Sequence, residues 1–299
     1  MQSRNNAGIV QLRGAFMRQL ARLMALSAAL AASAQCRADD RTGTFATDIL
    51  AVGNSYALAG ASMSSERSDF ERKTRRGRID PGSYESNVRT GTLTMRHGLF
   101  ENTDVAVSLP YQPVYDFTTV YAGSNPQRTD SQQGWGSPSF RIAYGLVNDA
   151  SKPYSVAVLL TGVADIMGNS TASLTPALSF GYKWNETSRL YAITGLYYPL
   201  RTTGSTQQSL RFGGQYDFTP SLTLDLSARH THLNSTTSYE AFRTSAAQLD
   251  LIYKVTDRFY ASPSFTNEWR SDRANKNGLT VYKSTSDIRT YALAIKYLF

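Results

Sequence analysis

Three histidines are the side chains best suited to metal binding or acid–base catalysis: His97, His230 and His232. His230 and His232 are two residues apart, so on a β-strand both imidazoles lie on the same face, from which a metal can be bound. No acidic residue or cysteine stands at a ligand-like spacing from them, and a histidine base with a hydroxyl nucleophile also needs a third, orienting group. The pattern therefore predicts no catalytic residue, no metal site and no cofactor.

A larger set of chemically useful side chains consists of charged residues that alternate with apolar ones. Alternate residues of a β-strand share a face, so these charges form one polar face on each strand. If the strands close into a barrel, that face lines the interior. The candidates for the lining are Arg96, Arg141, Lys183, Arg211, Asp217, Asp225, Arg229, Asp250, Lys254 and Lys296.

Charges of both signs inside a barrel have two interpretations. They can pair as salt bridges that fill and rigidify a closed scaffold, or they can line a polar conduit whose positive groups favour anionic solutes. A barrel of about twelve strands stands between small barrels filled by side chains and wide porins with an open channel. Both interpretations therefore stay open.

The elements that must position these charges are strands. Residues 288–299 place Tyr291, Leu293 and Ile295 on one face and Ala292 and Ala294 on the other, and such alternation indicates a strand with one apolar side. The predicted strands, each 11–14 residues long, are 55–65, 87–99, 104–117, 136–147, 154–166, 172–184, 188–201, 206–218, 222–233, 243–255, 258–271 and 286–299. These lengths reach the ~9–11 residues that a tilted strand needs to cross a membrane.

Short and long connections alternate between the predicted strands. Every second connection is a tight polar turn: 101–104, 148–151, 185–187, 219–220 and 256–257. Most of the others are longer: 66–86, 118–135, 234–242 and 272–285. Short turns on one side, longer loops on the other and an even number of strands are typical of outer-membrane barrels.

Aromatic residues support the same interpretation because they gather at the ends of the predicted strands, where the two aromatic girdles of a membrane barrel lie. These residues are Phe100, Tyr111, Tyr115, Trp184, Tyr197, Tyr198, Phe218, Phe259, Trp269 and Tyr297. The predicted fold is all-β: a transmembrane, antiparallel up-and-down β-barrel of about twelve strands in the outer membrane of a Gram-negative bacterium.

The amino-terminal residues predict export. Arg18 and Arg22 precede an apolar run at 23–32, and small residues follow, which is the pattern of a secretory signal peptide. We therefore divide the chain into a signal peptide at 1–38, whose true start can be Met17, a periplasmic lead-in at 39–54 and the barrel at 55–299. Cleavage after residue 38 also removes Cys36, the only cysteine, and with it any disulfide.

The net charge argues against a nucleic-acid partner. Residues 1–38 contain five arginines and no acidic residue, so only +3 of the formal charge of +8 belongs to the rest of the chain, which is too little for a nucleic-acid footprint. The expected partners are membrane lipid and a small-molecule solute. The basic cluster at 72–78 is a solvated loop or a contact for lipopolysaccharide, and the final strand, ending at Phe299, resembles the signal read by the barrel-assembly machinery.

Two stretches resemble the outer-membrane transporter family that is named for the meta-pathway of phenol degradation. The first is 91–111, where His97-Gly98-Leu99 and Ser108-Leu109-Pro110-Tyr111 match the family's phrases around a short turn. The second is 134–146, where Gly134-Trp135-Gly136 matches in part and Ser137 stands where aspartate is usual. The resemblance covers about 87–299 and implies a passive outer-membrane channel for aromatic or other organic compounds, without catalytic residues.

The sequence therefore predicts an outer-membrane channel or transporter for small solutes. A plugged barrel that presents the loops 66–86 and 118–135 to partners is the alternative, and an outer-membrane enzyme that uses His230 or His232 is the third.

Overall fold

The computed structural model describes residues 48–73, 77–121, 127–130, 134–149, 151–165, 172–200, 205–236, 239–276 and 280–299. The predicted signal peptide, residues 39–47 of the lead-in and residues 74–76 of the basic cluster lie outside this part of the chain. Within it, no helix is long and apolar enough to span a membrane.

The described chain is built from β-strands joined in one sheet. Their bounds are β1 Ser55–Lys73, β2 Ile79–Phe100, β3 Thr103–Tyr121, β4 Gln127–Asp130, β5 Gly134–Trp135, β6 Ser139–Val147, β7 Tyr154–Val163, β8 Ser173–Lys183, β9 Ser188–Pro199, β10 Gln207–Thr219, β11 Leu222–Leu233, β12 Phe242–Lys254, β13 Phe259–Arg270, β14 Arg273–Ala274, β15 Thr280–Tyr282 and β16 Thr285–Leu298. The short strands β4, β5, β14 and β15 extend the sheet at one end.

The other twelve strands close into a barrel. Each pairs antiparallel with the next, and β1 pairs with both β2 and β16, with Tyr56 opposite Leu298 and Glu66 opposite Ile288. Closure is a physical requirement in lipid, because no water is present there to satisfy the polar backbone of a free sheet edge. The predicted twelve-stranded, antiparallel barrel is confirmed.

The outer surface of the barrel is apolar. Large side chains such as Phe212 and Leu226 are half or more exposed, whereas the carboxylate of Asp104 is fully buried. This reverses the usual distribution in a soluble protein, and a continuous exposed apolar surface marks contact with a membrane. Most of the predicted girdle residues lie on this surface, while Tyr197 shares the parity of the buried Tyr191 and faces inward.

The predicted loops 66–86 and 118–135 are largely wrong. β1 and β2 continue as a paired hairpin, with Phe70 opposite Gly82, and β3 extends to Tyr121 and pairs with β4 and β5. Part of 272–285 also forms strands, β14 and β15. Beyond the bilayer both faces of a strand can meet water, so these extensions need no apolar alternation and the sequence pattern does not reveal them.

Candidate functional site: the barrel interior

Ion pairs between strands that are not neighbours identify the inner face. Arg229 Nη2 on β11 lies 3.1 Å from Glu268 Oε2 on β13, across the intervening β12. Arg270 Nη1 on β13 lies 2.6 Å from Glu66 Oε1 on β1, across β16. Such contacts skip a strand only where the concave wall turns side chains towards one another.

All ten candidate lining residues have inward parity, but they occupy two environments. Arg96, Arg141, Arg211, Asp225, Arg229, Asp250 and Lys296 lie within the barrel. Lys183, Asp217 and Lys254 lie at the rim formed by the tight turns, the periplasmic rim. There the Lys254 ammonium contacts Asp257 at 2.8 Å, and Thr223 donates to Asp217 at 2.6 Å.

The most buried polar cluster is centred on Asp104, which sequence reasoning missed. Its Oδ1 accepts hydrogen bonds from Arg96 Nε at 2.8 Å and Arg141 Nη2 at 3.3 Å. Its Oδ2 accepts from Arg96 Nη2 and, at 3.1 Å, from the backbone N–H of Leu50. The sequence analysis places Asp104 in the tight turn 101–104, at the start of the predicted strand 104–117, and not among the lining candidates. In the structure Asp104 is a residue of β3, and its carboxylate faces inward.

Residues 48–54, the described part of the lead-in, pack inside the periplasmic end. Ile49 and Leu50 are almost fully buried, and Ile49 contacts Ala143 and Ala157 of β6 and β7. The backbone of Ala51 passes so close to Gly98 that a Cβ atom at Gly98 would overlap its carbonyl. We name this element the amino-terminal segment.

An aromatic and cationic cluster lies beside the amino-terminal segment. The Lys296 ammonium lies 5.3 Å from the ring centroid of Tyr56 and 4.7 Å from that of Tyr260, and Lys296 is buried. Arg96 also lies over Tyr56 and donates a hydrogen bond to the carbonyl of Asp48. Cation–π contacts of this kind stabilise charges removed from water.

A second charged network joins β1, β11 and β13, farther from the periplasmic rim than the Asp104 cluster. Glu268 pairs with both Arg229 and Arg270, and Arg270 also pairs with Glu66, which accepts a hydrogen bond from the Tyr84 hydroxyl. Two arginines and two glutamates alternate along this ladder, so its formal charge is zero. The sequence predicts only Arg229 of this set, because Glu66 lies in a predicted loop and alternation is poor around Arg270.

A third network lies below this ladder, towards the periplasmic rim. The Asp225 carboxylate accepts hydrogen bonds from the Tyr191 hydroxyl at 2.8 Å and from Gln215 at 2.9 Å. The Tyr191 ring lies over Gly213, where a Cβ atom would come within 2.6 Å of the ring. Gln248 binds both carboxylate oxygens of Asp250 at 2.8–3.0 Å.

A lumenal cavity of about 370 Å³ opens beside the ladder. Its described lining carries the ladder charges, Arg211 and several hydroxyl and amide groups: Ser64, Glu66, Arg211, Ser227, Arg229, Ala246, Gln248, Thr266, Glu268, Arg270, Ile288 and Thr290. Residues from β1, β10, β11, β12, β13 and β16 thus meet around one space, which can hold a small polar molecule.

The histidines lie apart from this cavity. His230 and His232 have the outward parity of Leu226, and His230 Nδ1 is within 2.9 Å of Ser245 Oγ on the next strand. His97 Nδ1 lies 2.7 Å from Ser55 Oγ. In the described part of the chain, no three histidine, cysteine or acidic residues stand close enough together to hold a metal ion.

Comparisons with known proteins identify the fold. No family model and no curated protein sequence matches the chain. The COG4313 outer membrane channel from Pseudomonas putida F1 superposes with a TM-score of 0.61 at 11% identity, over 85% of this chain and 98% of that one. The NanC porin gives a TM-score of 0.48 at 9% identity, over 80% and 98%. The resemblance to the phenol meta-pathway family stays a prediction, whereas the closed barrel with its apolar exterior is that of a bacterial outer-membrane protein.

Proposed function

We propose that this protein is a passive channel for small solutes across the bacterial outer membrane. The observation that carries the proposal is the polar cavity inside a closed barrel whose exterior is apolar. Charged and hydroxyl groups that face a lumen can replace part of a solute's hydration shell, as a selective pore requires. A barrel used only as a scaffold has no need of such a space at mid-height.

We further propose that the solutes include aromatic or other small organic compounds. The resemblance to the phenol meta-pathway transporters supports this, and so do the inward-facing rings of Tyr56, Tyr191 and Tyr260. Rings on the wall can pack against an aromatic solute while neighbouring polar groups bind its substituents.

Uptake into liposomes that contain the folded barrel tests the proposal. Phenolic acids and neutral sugars of similar mass should be compared, with protein-free liposomes as the control. We expect both classes to enter and the phenolic acids to enter faster. Failure of both to enter, with a barrel shown to be folded by circular dichroism, would remove the channel proposal; equal rates would remove only the preference for aromatic compounds.

A plugged scaffold is the second candidate, and one observation favours it: the amino-terminal segment packs within the periplasmic end and is bound to Asp104. If this segment closes the exit, wild-type protein will be silent in planar bilayers and a variant that lacks residues 48–51 will conduct. If the segment only narrows the exit, both will conduct and the deletion will have the larger conductance.

The partner proposals concern the outside of the barrel. We propose that lipid covers the apolar belt and that lipopolysaccharide contacts basic residues of the 72–78 cluster. The barrel-assembly machinery recognises β16 and the exposed ring of Phe299. Replacement of Phe299 by alanine should slow membrane insertion in cells and leave the conductance of barrels folded in vitro unchanged.

A further inference from the structure

We propose that Arg211 and Arg229 form a binding site in the lumen for the carboxylate of a small organic acid. This inference rests on the proposed channel function for its biological role, because the site lies within the conduit. The binding itself can be tested without transport.

The first step of the argument is the register of two neighbouring strands. Arg211 of β10 stands directly opposite Arg229 of β11, and both have inward parity. Like charges at directly opposed positions of antiparallel strands repel each other and destabilise the sheet. An anion bound between the two guanidinium groups would convert this repulsion into attraction.

The second step is that the two arginines have different partners. Arg229 belongs to the neutral ladder through Glu268. Arg211 donates from Nε to Ser227 Oγ at 3.2 Å and lies 5.7 Å from the ring centroid of Tyr191. Among the described residues no carboxylate lies within ion-pair distance of Arg211, so the described lining of the cavity has one positive charge in excess.

The third step concerns the acids nearest to this pair. Asp225 and Asp250 stand opposite each other on β11 and β12, and the backbone of Asp225 is four residues along the strand from that of Arg229, or ~13 Å at the usual rise. Both carboxylates accept hydrogen bonds from Tyr191, Gln215 or Gln248 rather than from Arg211. Arg211 lies over the ring whose hydroxyl binds Asp225, so these acids act on its charge through space, but among the described residues none forms an ion pair with its guanidinium. The two acids repel an anion that moves below Arg211.

The cavity fits the head group and body of an organic acid. Its volume of about 370 Å³ lies within the ~300–1,000 Å³ of small-molecule pockets. A guanidinium fork matches the two oxygens of a carboxylate, which makes arginine the preferred partner of that group. The hydroxyl of Thr266 and the hydroxyl pair of Thr290 and Ser64 supply further polar groups in the lining.

The experiment measures benzoate binding by calorimetry to the full-length barrel, folded in detergent. Benzyl alcohol, similar in size but uncharged, is the matched ligand control. Arg211→Gln should weaken benzoate binding about tenfold or more, as expected for the loss of a charged hydrogen bond, and Arg211→Lys should restore part of it. Arg289→Gln, on the outer face of β16, removes the same charge and should change nothing.

Folding is checked by circular dichroism for each variant, and benzoate should raise the unfolding temperature of the wild type but not that of Arg211→Gln. Equal binding of benzoate and benzyl alcohol, or equal benzoate binding by wild type and a folded Arg211→Gln, would overturn the inference. A wild-type barrel that binds benzoate but does not conduct would support the carboxylate site and reject the channel function. A wild-type barrel that conducts but does not bind benzoate would support the channel function and reject the site.

Discussion

The barrel contains two clusters of arginine and carboxylate groups, of which one is buried and the other is partly exposed to the lumen. Around Asp104 one carboxylate binds two arginines and a backbone N–H, and its side chain is fully buried. Around the mid-lumen cavity Arg229, Arg270, Glu66 and Glu268 pair among themselves and stay partly exposed. The same ion-pair chemistry thus holds a segment in place at the periplasmic end and lines an open space at mid-height.

The difference between the clusters follows from what surrounds them. Ile49 and Leu50 exclude water from the Asp104 cluster, so each hydrogen bond there is strong and each lost partner is costly. Water or a solute can reach the mid-lumen charges and screen them, so a partner lost there is replaced more easily. Substitutions in the first cluster should change stability, and those in the second should change selectivity.

The largest expected effect is that of Asp104→Ala. It leaves the buried Arg96 and the partly buried Arg141 without their carboxylate, and breaking a buried ion pair such as Arg96–Asp104 costs about 3–5 kcal/mol. Urea unfolding of the barrel in lipid vesicles measures the loss of free energy. Asp217→Ala, at the periplasmic rim, is the control, and an equal loss in both variants would contradict the assignment of Asp104.

The next effect is that of Gly98→Ala, whose Cβ atom would displace Ala51 and with it the amino-terminal segment. Losing part of the burial of Ile49 and Leu50, each worth about 1.5–3 kcal/mol when complete, should cost about 2–4 kcal/mol. The segment should also become sensitive to protease, and the conductance should rise. Gly91→Ala is the matched control, because a Cβ atom at Gly91 meets no atom closer than 3.8 Å. If Gly91→Ala changes stability and conductance as Gly98→Ala does, the amino-terminal segment does not control the exit.

A smaller effect on stability, about 1 kcal/mol, is expected for Glu268→Gln, because its pairs are partly exposed. Its main effect should be on selectivity. Among the described residues, the change leaves Arg229 without a carboxylate partner and Arg270 with Glu66 alone. The reversal potential in a salt gradient should therefore shift in the direction of anion selectivity. Arg211→Gln should shift the reversal potential in the direction of cation selectivity. Shifts of the same sign in both variants would contradict the charges assigned to the cavity.

The smallest effect is that of Lys254→Gln at the periplasmic rim. The hydrogen bond from Lys254 lowers the pKa of the Asp257 carboxyl, so any stability from the pair is present above the unfolded pKa of this carboxyl and is lost as pH falls through the folded pKa. Asp257 is almost fully exposed and Lys254 is partly exposed, so solvent screens the pair. Thermal unfolding of variant and wild type should therefore agree at neutral and at acidic pH, and a clear difference at neutral pH would contradict this.

The sequence predicts the membrane-crossing part of the strands well, because lipid on one side and water on the other impose alternation. The predicted strand 222–233 has the same bounds as β11, and the final strand differs from β16 by one residue at each end. Alternation also predicts which charges face inward. It fails where both faces of a strand are wet, as in the β1–β2 hairpin.

The sequence does not predict the contacts that distinguish the two clusters. Asp104 stands beside turn residues, and only the pairing of β3 with β2 and β6 brings it to Arg96 and Arg141. The position of Ile49 and Leu50 depends on a chain reversal before β1 that carries no periodic pattern. Arg211 and Arg229 are opposite each other because the tight turn between β10 and β11 sets the register, which alternation alone leaves free.

Single-channel recording of the wild-type barrel in planar bilayers tests the central claim most directly. A passive channel with a polar, partly open lumen should give discrete conductance steps, and benzoate should reduce the current carried by chloride. Persistent silence from protein that circular dichroism shows to be folded would contradict the channel, and the amino-terminal segment with its Asp104 cluster would then be the closure of a scaffold.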